Sequence, residues 1–367
     1  MLFYLTNSLI VDKTDPQFTE IKRAVHYIAM AVWESKHLLR GDYKVLAFYM
    51  EEFKSDEQIY PIFNKLVSKY STYTVPSDIC RYVEVVLDGN GNYEKDGHKI
   101  KQLPYTYFDD SMKVQAMTVV AEDEADCALF EYIIKHYLKV NNLRYNYKFT
   151  PQGGGGTRTE TTVRSCLRSG KMVTCITDSD QRYGGQPLDP ESTGMKCSKI
   201  KALDKVYYFL MLPVHEVENL VPLNHFNQLD WSQTQNQKDK DAFDKLCYNA
   251  HSELILPYFD MKEGIKKEAV LRLGDGMEKF AAMCCYCNPN IMGGKPFHTY
   301  VADLGDNDWV YPRLKKRLMV DLAPMYWNEK KTMPEPELME FQLEAWQDIA
   351  KRLLDTTCAR KKEAITV

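Results

Sequence analysis

Apolar residues follow two periods in the first part of the chain. Leu2 to Val11 reads as a strand. After Asp15-Pro16, residues Phe18, Ile21, Val25, Ile28 and Val32 recur at helical spacing as far as about Leu39, where Gly41 ends the pattern. Aspartate suits the N-cap there and proline suits the first turn. Ile59, Ile62, Phe63, Leu66 and Val67 mark a second helix within 56–71. Tyr82 to Leu87 predicts a strand, Asp88-Gly89-Asn90-Gly91-Asn92 a hairpin turn, and His98 to Leu103 the returning strand. Residues 1–112 therefore read as an α+β domain. The Asp88-Asn90-Asn92 spacing opens like a calcium loop, but Tyr93 stands where such a loop needs glycine and Glu94 comes too early. None of Arg23, Arg40 and Arg81 has the following histidine of a HEPN ribonuclease motif.

From 113 to 225 strand and helix patterns alternate. Lys113–Ala121, Tyr145–Phe149, Met172–Thr177 and Val206–Leu212 predict strands, and 125–138 and 159–169 predict helices. The segments 152–156 and 180–199 read as loops. Such alternation implies a mostly parallel sheet. Residues 226–367 predict a mainly helical C-terminal domain. It begins with a polar linker at 227–241, continues with helices over 241–254 and 261–272, and includes an amphipathic helix over 337–354 behind Pro334-Glu335-Pro336. The expected class is α/β, with a central mostly parallel sheet between an α+β domain and a helical one.

Composition narrows this picture. A chain of 367 residues with 44% hydrophobic and 27% charged residues has room for two or three folded domains. Its net charge of −4 gives no general attraction to nucleic acid, so any such binding needs a local basic patch. Ten cysteines, and a start at Met1-Leu2-Phe3-Tyr4 without basic residues, suggest a reduced cytoplasmic protein without a signal peptide. No apolar run approaches the ~18 residues of a membrane span.

The candidate chemistry lies at the ends of the central strands. Thr118-Val119-Val120-Ala121 runs into Glu122, with Asp126 four residues later in the first helical turn. Met172–Thr177 runs into Asp178-Ser179-Asp180, where period two places both aspartates on one side. Glu216 and Glu218 follow the next strand and could close the ring. Clustered carboxylates stay ionised only around a cation, and an all-oxygen set suits Mg²⁺ or Mn²⁺. Phosphodiester chemistry is the main use of such sites, commonly with two ions ~3.5–4 Å apart. Lys196 or Lys199 could assist transition-state charge.

The order Val-Val-Ala-Glu122-x-x-x-Asp126, glycine loop, apolar strand, Asp178-x-Asp180 resembles the Toprim domain of topoisomerases, bacterial primases and OLD-like nucleases. The resemblance covers about 113–225. Asp123 stands where that family usually has glycine. The resemblance implies a compact Rossmann-like sheet in which Glu122 leads, Asp126 joins it as a ligand and Asp178 and Asp180 are paired metal ligands. Glu216-Val217-Glu218-Asn219 looks like the family's Glu-Asn segment and favours Glu218. The layout is similar to HEPN/Toprim-associated and PARIS-type defence effectors. That implies an Mg²⁺- or Mn²⁺-dependent endonuclease acting on DNA or RNA as a toxic anti-phage effector, with a sensor or ATPase partner and a possible oligomeric state. The alternative is a non-catalytic Toprim module that binds nucleic acid or a partner protein.

Six basic residues between Arg144 and Lys171, against Glu160 alone, form a local patch suited to phosphates. The glycines at 153–156 could bring backbone amides to a phosphate, but no Gly-Lys-Ser/Thr follows, so no Walker ATPase is encoded there. Cys247, His251, Cys284, Cys285 and Cys287 have poor zinc spacing and read as packing. No tyrosine stands out as a topoisomerase nucleophile, and no primase zinc ribbon is visible.

Overall fold

Two sheets organise the chain. In the computed structural model, which describes residues 1–72, 79–232, 234–328 and 333–360, the first has the order β2-β1-β3-β5-β4. Its strands are β1 (Leu2–Leu5), β2 (Leu38–Gly41), β3 (Arg81–Val86), β4 (Gly91–Lys95) and β5 (His98–Pro104). Helices α1 (Phe18–Trp33), α2 (Tyr43–Glu52) and α3 (Tyr60–Ser68) connect β1 to β2 and β2 to β3. α1 forms where the 3.6-residue period lies, burying Ile21, Val25, Ile28 and Val32.

The turn at 88–92 does not join an antiparallel pair. β3 and β5 run parallel, from Arg81 opposite Lys99 to Val86 opposite Pro104. β4 forms the outer edge instead, antiparallel to β5. Its hairpin turns at Asp96 and Gly97, whose φ values of 51° and 78° suit a two-residue turn. β4 is a largely exposed Gly-Asn-Tyr-Glu-Lys stretch, so no apolar alternation announces it.

The second sheet is all parallel, in the order β10-β9-β6-β8. Its strands are β6 (Met117–Ala121), β8 (Phe149–Gly153), β9 (Val173–Thr177) and β10 (Tyr207–Met211). The two-residue β7 (Asn146–Tyr147) precedes β8 and lies outside this sheet. Every residue of β6 and β9 is buried, as in a sheet covered on both faces. α4 (Asp126–Val140) and α5 (Thr159–Arg168) follow β6 and β8, and α6 (Thr193–Ser198) interrupts the loop expected at 180–199. β8 starts where the predicted strand ends, because Pro151 and Gly153 look like loop residues. They are accommodated because β8 is an edge strand.

The C-terminal part is helical: α7 (Thr234–Cys247), α8 (Ser252–Ile255), α9 (Lys267–Leu273), α10 (Asp275–Cys287), α11 (Phe297–Asp303), α12 (Leu318–Trp327) and α13 (Glu340–Thr357). β11 (Ile265–Lys266) pairs with β12 (Trp309–Tyr311), and β13 (Cys358–Ala359) pairs with β7. One hydrophobic cluster runs from Val119, Leu129 and Ile133 through Phe259 and Tyr311 to Ile349 and Leu353. Tyr132 of α4 meets Tyr326 of α12 and Trp346 of α13 at ring distances of 5.0 and 6.0 Å. The helical part therefore covers the α4 face of the sheet and brings residues near 260 to its acidic end. No helix among the described residues is long and apolar enough to cross a membrane.

Candidate metal centre

Glu122 sits in the turn that leaves β6, and the glycine loop holds that turn. The amide of Gly154 donates to Ala121 O at 2.7 Å, and those of Gly155 and Gly156 donate to Glu122 O at 3.0 and 3.3 Å. These amides are engaged by carbonyls, so they fix the acid's backbone and do not cradle a phosphate. Glu122 Oε1 is buried without a hydrogen-bond partner. Burial, and then the charge of Asp180, raise its pKa above the ordinary carboxylate range.

Asp126 opens α4 and accepts the Asp123 amide at 2.9 Å, closing the β6–α4 turn. Burial, followed by the charge of Glu218, pushes its carboxyl up to about 8. Asp178 is buried just past β9, and its Oδ1 accepts the Val217 amide at 3.0 Å. Burial and then Glu122 raise its pKa well above the ordinary value. Asp180 is placed differently from the strand alternation expected for it. β9 ends at Thr177, and Asp180 is exposed with φ 58°, its amide donating to His215 O at 3.1 Å. Its charge still bears on Glu122.

The third group is built around a short 3₁₀ turn at 217–220. Asn219 fixes that turn: its Oδ1 accepts the Glu216 amide at 2.7 Å, and its Nδ2 donates to Leu256 O at 2.7 Å and Phe259 O at 2.8 Å. Asn219→Ala strands three buried polar groups and is expected to lower the unfolding free energy by about 1–3 kcal/mol, read from urea denaturation. Glu216 and Glu218 flank Lys262, whose Nζ lies 3.2 Å from Glu216 Oε2 and 3.1 Å from Glu218 Oε2. Burial lowers the lysine's pKa, but Glu216, Glu218, Asp178 and Asp126 outweigh it and hold the ammonium above its ordinary value. Lys262 is thus the cation of the acidic group. Lys196, expected near it, lies on α6 with its Nζ 3.2 Å from Glu191 Oε2 and its side chain 42% exposed.

Beside Lys262, His215 Nε2 is 3.4 Å from Asp260 Oδ2, and Arg182 reaches the same oxygen at 3.2 Å. Burial raises the Asp260 pKa, but His215 and Arg182 reverse this and leave it below the ordinary range. His215, Glu216 and Asp260 offer ligand atoms within 4.8 Å of one another and could hold a metal ion. Among the described residues no other three acids, histidines or cysteines come that close. The expected set of Glu122, Asp126, Asp178, Asp180 and Glu218 shares one electrostatic environment without closing to that distance. Cys247, Cys284 and Cys285 are buried in the C-terminal core, Cys287 is half-buried, and His251 is exposed, so packing accounts for them.

Sequence reasoning missed Lys262 and the His215–Asp260 pair. Both depend on a segment more than forty residues beyond Glu216, and no local period marks that approach. Searches for relatives find no matching family model, no matching curated protein and no matching solved structure.

Proposed function

We propose that this chain is a Toprim-like, Mg²⁺- or Mn²⁺-dependent nuclease that hydrolyses phosphodiester bonds in DNA or RNA. The observation that carries the reading is a group of carboxylates gathered around one lysine: Asp126, Asp178, Glu216 and Glu218 are buried, Glu122 is half-buried, and Lys262 lies 3.2 Å from Glu216 and 3.1 Å from Glu218. Glu122, Asp126, Asp178, Glu216 and Glu218 all have raised pKa values, and Lys262 is the cation that lowers every one of them. Oxygen donors of this kind, one of them the unpartnered Glu122 Oε1, fit a hard divalent cation. To hold it, Glu122, Asp126, Asp178 and Glu218 would draw together around the ion with Asp180 at the rim, since among the described residues only His215, Glu216 and Asp260 already offer ligand atoms within 4.8 Å of one another. When bound, the ion would polarise a phosphoryl oxygen and acidify water.

The chain's own groups supply the rest. Lys262 keeps a fixed positive charge beside the acids, suited to charge developing on a phosphate. Asp126 and the glycine amides hold the Glu122 turn rigid. Arg158 and Arg168 are exposed on the segment and helix that leave the glycine loop, while Arg164 is held by Glu160 at 2.8 Å. They offer a phosphate-binding flank. The cysteines, eight of the ten buried, fit a reducing cytoplasm. Lys262 also favours a second reading, in which the lysine alone neutralises the acids and the module binds nucleic acid or a partner without catalysis.

The test incubates the protein with supercoiled plasmid and total RNA, in Mn²⁺ and in EDTA, beside Asp178→Ala. Cleavage should occur in Mn²⁺ and vanish in EDTA and in the variant. Intact substrates in every condition, together with no Mn²⁺ binding by calorimetry, reject the nuclease and leave the binding module.

A further inference from the structure

A groove runs along one face of α10. It consists of two clefts, of about 870 and 540 Å³, that adjoin at Lys279 and Met283. α10 lines them with Gly276, Lys279, Phe280, Met283, Tyr286 and Cys287. These positions recur at spacings of three and four, so they form one stripe of the helix, about three turns and ~16 Å long. α13 adds a wall to the first cleft with Phe341, Glu344, Ala345 and Asp348, and residues 249–251 add one to the second. Leu254 stands at the first cleft and Tyr286 at the second, each 61% exposed, so large apolar surface lies open along the whole groove.

The charge along the first cleft is mostly of one sign. Glu253, Glu344 and Asp348 line it against Lys279. On α13, Glu340, Glu344 and Asp348 stand four residues apart in one exposed row. Like charges at that spacing repel and weaken the helix. Arg352 relieves one of them, with its Nε 2.8 Å from Asp348 Oδ2. Glu344 has no ion pair among the described residues. Cations from outside the chain are what this row lacks.

An apolar trough three turns long, with a row of acids along one side, matches a helix that carries apolar anchors on one face and lysine or arginine beside them. We propose that this groove seats a basic amphipathic helix of a partner protein. Its apolar side chains would lie against Phe280, Met283 and Phe341, and its cations against Glu253 and Glu344. The groove adjoins the acidic centre through its floor. Val214 and Pro257 line it, the His215 amide donates to Pro257 O at 2.7 Å, and Ser179 Oγ donates to Val214 O at 2.6 Å. The proposal does not rest on the nuclease reading.

The test selects peptides of about 16 residues from a displayed random library on the full chain and measures their affinity by fluorescence anisotropy. The selected peptides should repeat apolar residues at i, i+3 or i+4, and i+7, with lysine or arginine next to them. Glu253→Lys with Glu344→Lys should weaken their binding about tenfold or more, and so should Leu254→Glu, the scale of one interface anchor. These positions are exposed, and Tyr286→Glu, also exposed, serves if the charge-reversed protein does not fold. No saturable binder, acidic or unpatterned peptides, or unchanged affinity in the variants would overturn the proposal. A dimer in sedimentation that Leu254→Glu dissolves would assign the groove to a second copy of the chain and overturn it as well.

Discussion

Lys262→Met is expected to lower the unfolding free energy of the metal-free protein by about 2–4 kcal/mol at pH 8, because it leaves buried carboxylates without their counter-charge. Partial exposure of the lysine, 37% at the side chain, keeps the figure below that of a fully buried pair. The loss should depend on pH. The Asp126 carboxyl lies at about 8 in the folded chain against an ordinary 3.8, so the folded state binds more protons than the unfolded state between those values. Its stabilising contribution is complete below about 3.8 and is lost as pH rises through about 8. Asp178 and Glu216 shift in the same direction. Urea unfolding in EDTA should therefore show a smaller deficit for the variant at pH 5, where protonated acids need no partner, than at pH 8. Added Mn²⁺ should recover part of the deficit at pH 8. Equal stability of the two proteins at pH 8 in EDTA would show that the ammonium is not the counter-charge.

The elements that follow one period were legible in the sequence. α4, α5 and β9 lie within two residues of the apolar patterns that announce them, whereas α1 ends at Trp33, six residues short of the expected Leu39 because β2 takes up Leu38–Gly41, and β6 starts four residues later than expected. The acids were legible because they follow those strands directly: Glu122 after β6 and Asp178 after β9. Relations across the chain were not legible. Parallel pairing of β3 with β5 depends on β4, an edge strand with no buried face to write a pattern. Asp180 departs from alternation because β9 ends three residues earlier and a left-handed turn follows. Lys262 reaches the acids because the helical part shares its core with α4, and a contact between Glu218 and Lys262 leaves no signature in either local stretch. The glycines at 153–156 were visible, but their role was not. A glycine run signals freedom, and only the fold shows that its amides end on Ala121 and Glu122.

That role makes Gly154→Ala the more damaging of the small substitutions in the loop. A Cβ at Gly154 would lie 2.8 Å from Ala121 O, 2.3 Å from Thr159 Oγ1 and 2.7 Å from Thr159 Cγ2. Neither neighbour can yield easily. Ala121 O belongs to the sheet's backbone and accepts the Gly154 amide itself at 2.7 Å. Thr159 is fully buried, and its hydroxyl donates to Gly156 O at 2.7 Å. The methyl group must push the loop away from β6, breaking the bonds that hold the Glu122 turn, at an expected cost of about 2–4 kcal/mol. Gly156→Ala provides the contrast. It has a φ of 59° and open space around its Cβ, so only backbone strain of about 1 kcal/mol opposes alanine there. Urea denaturation should rank Gly154→Ala well below Gly156→Ala, and calorimetry should show weaker Mn²⁺ binding in the first, because the displaced turn carries Glu122. Equal stability of the two variants would mean that the loop does not brace the acid.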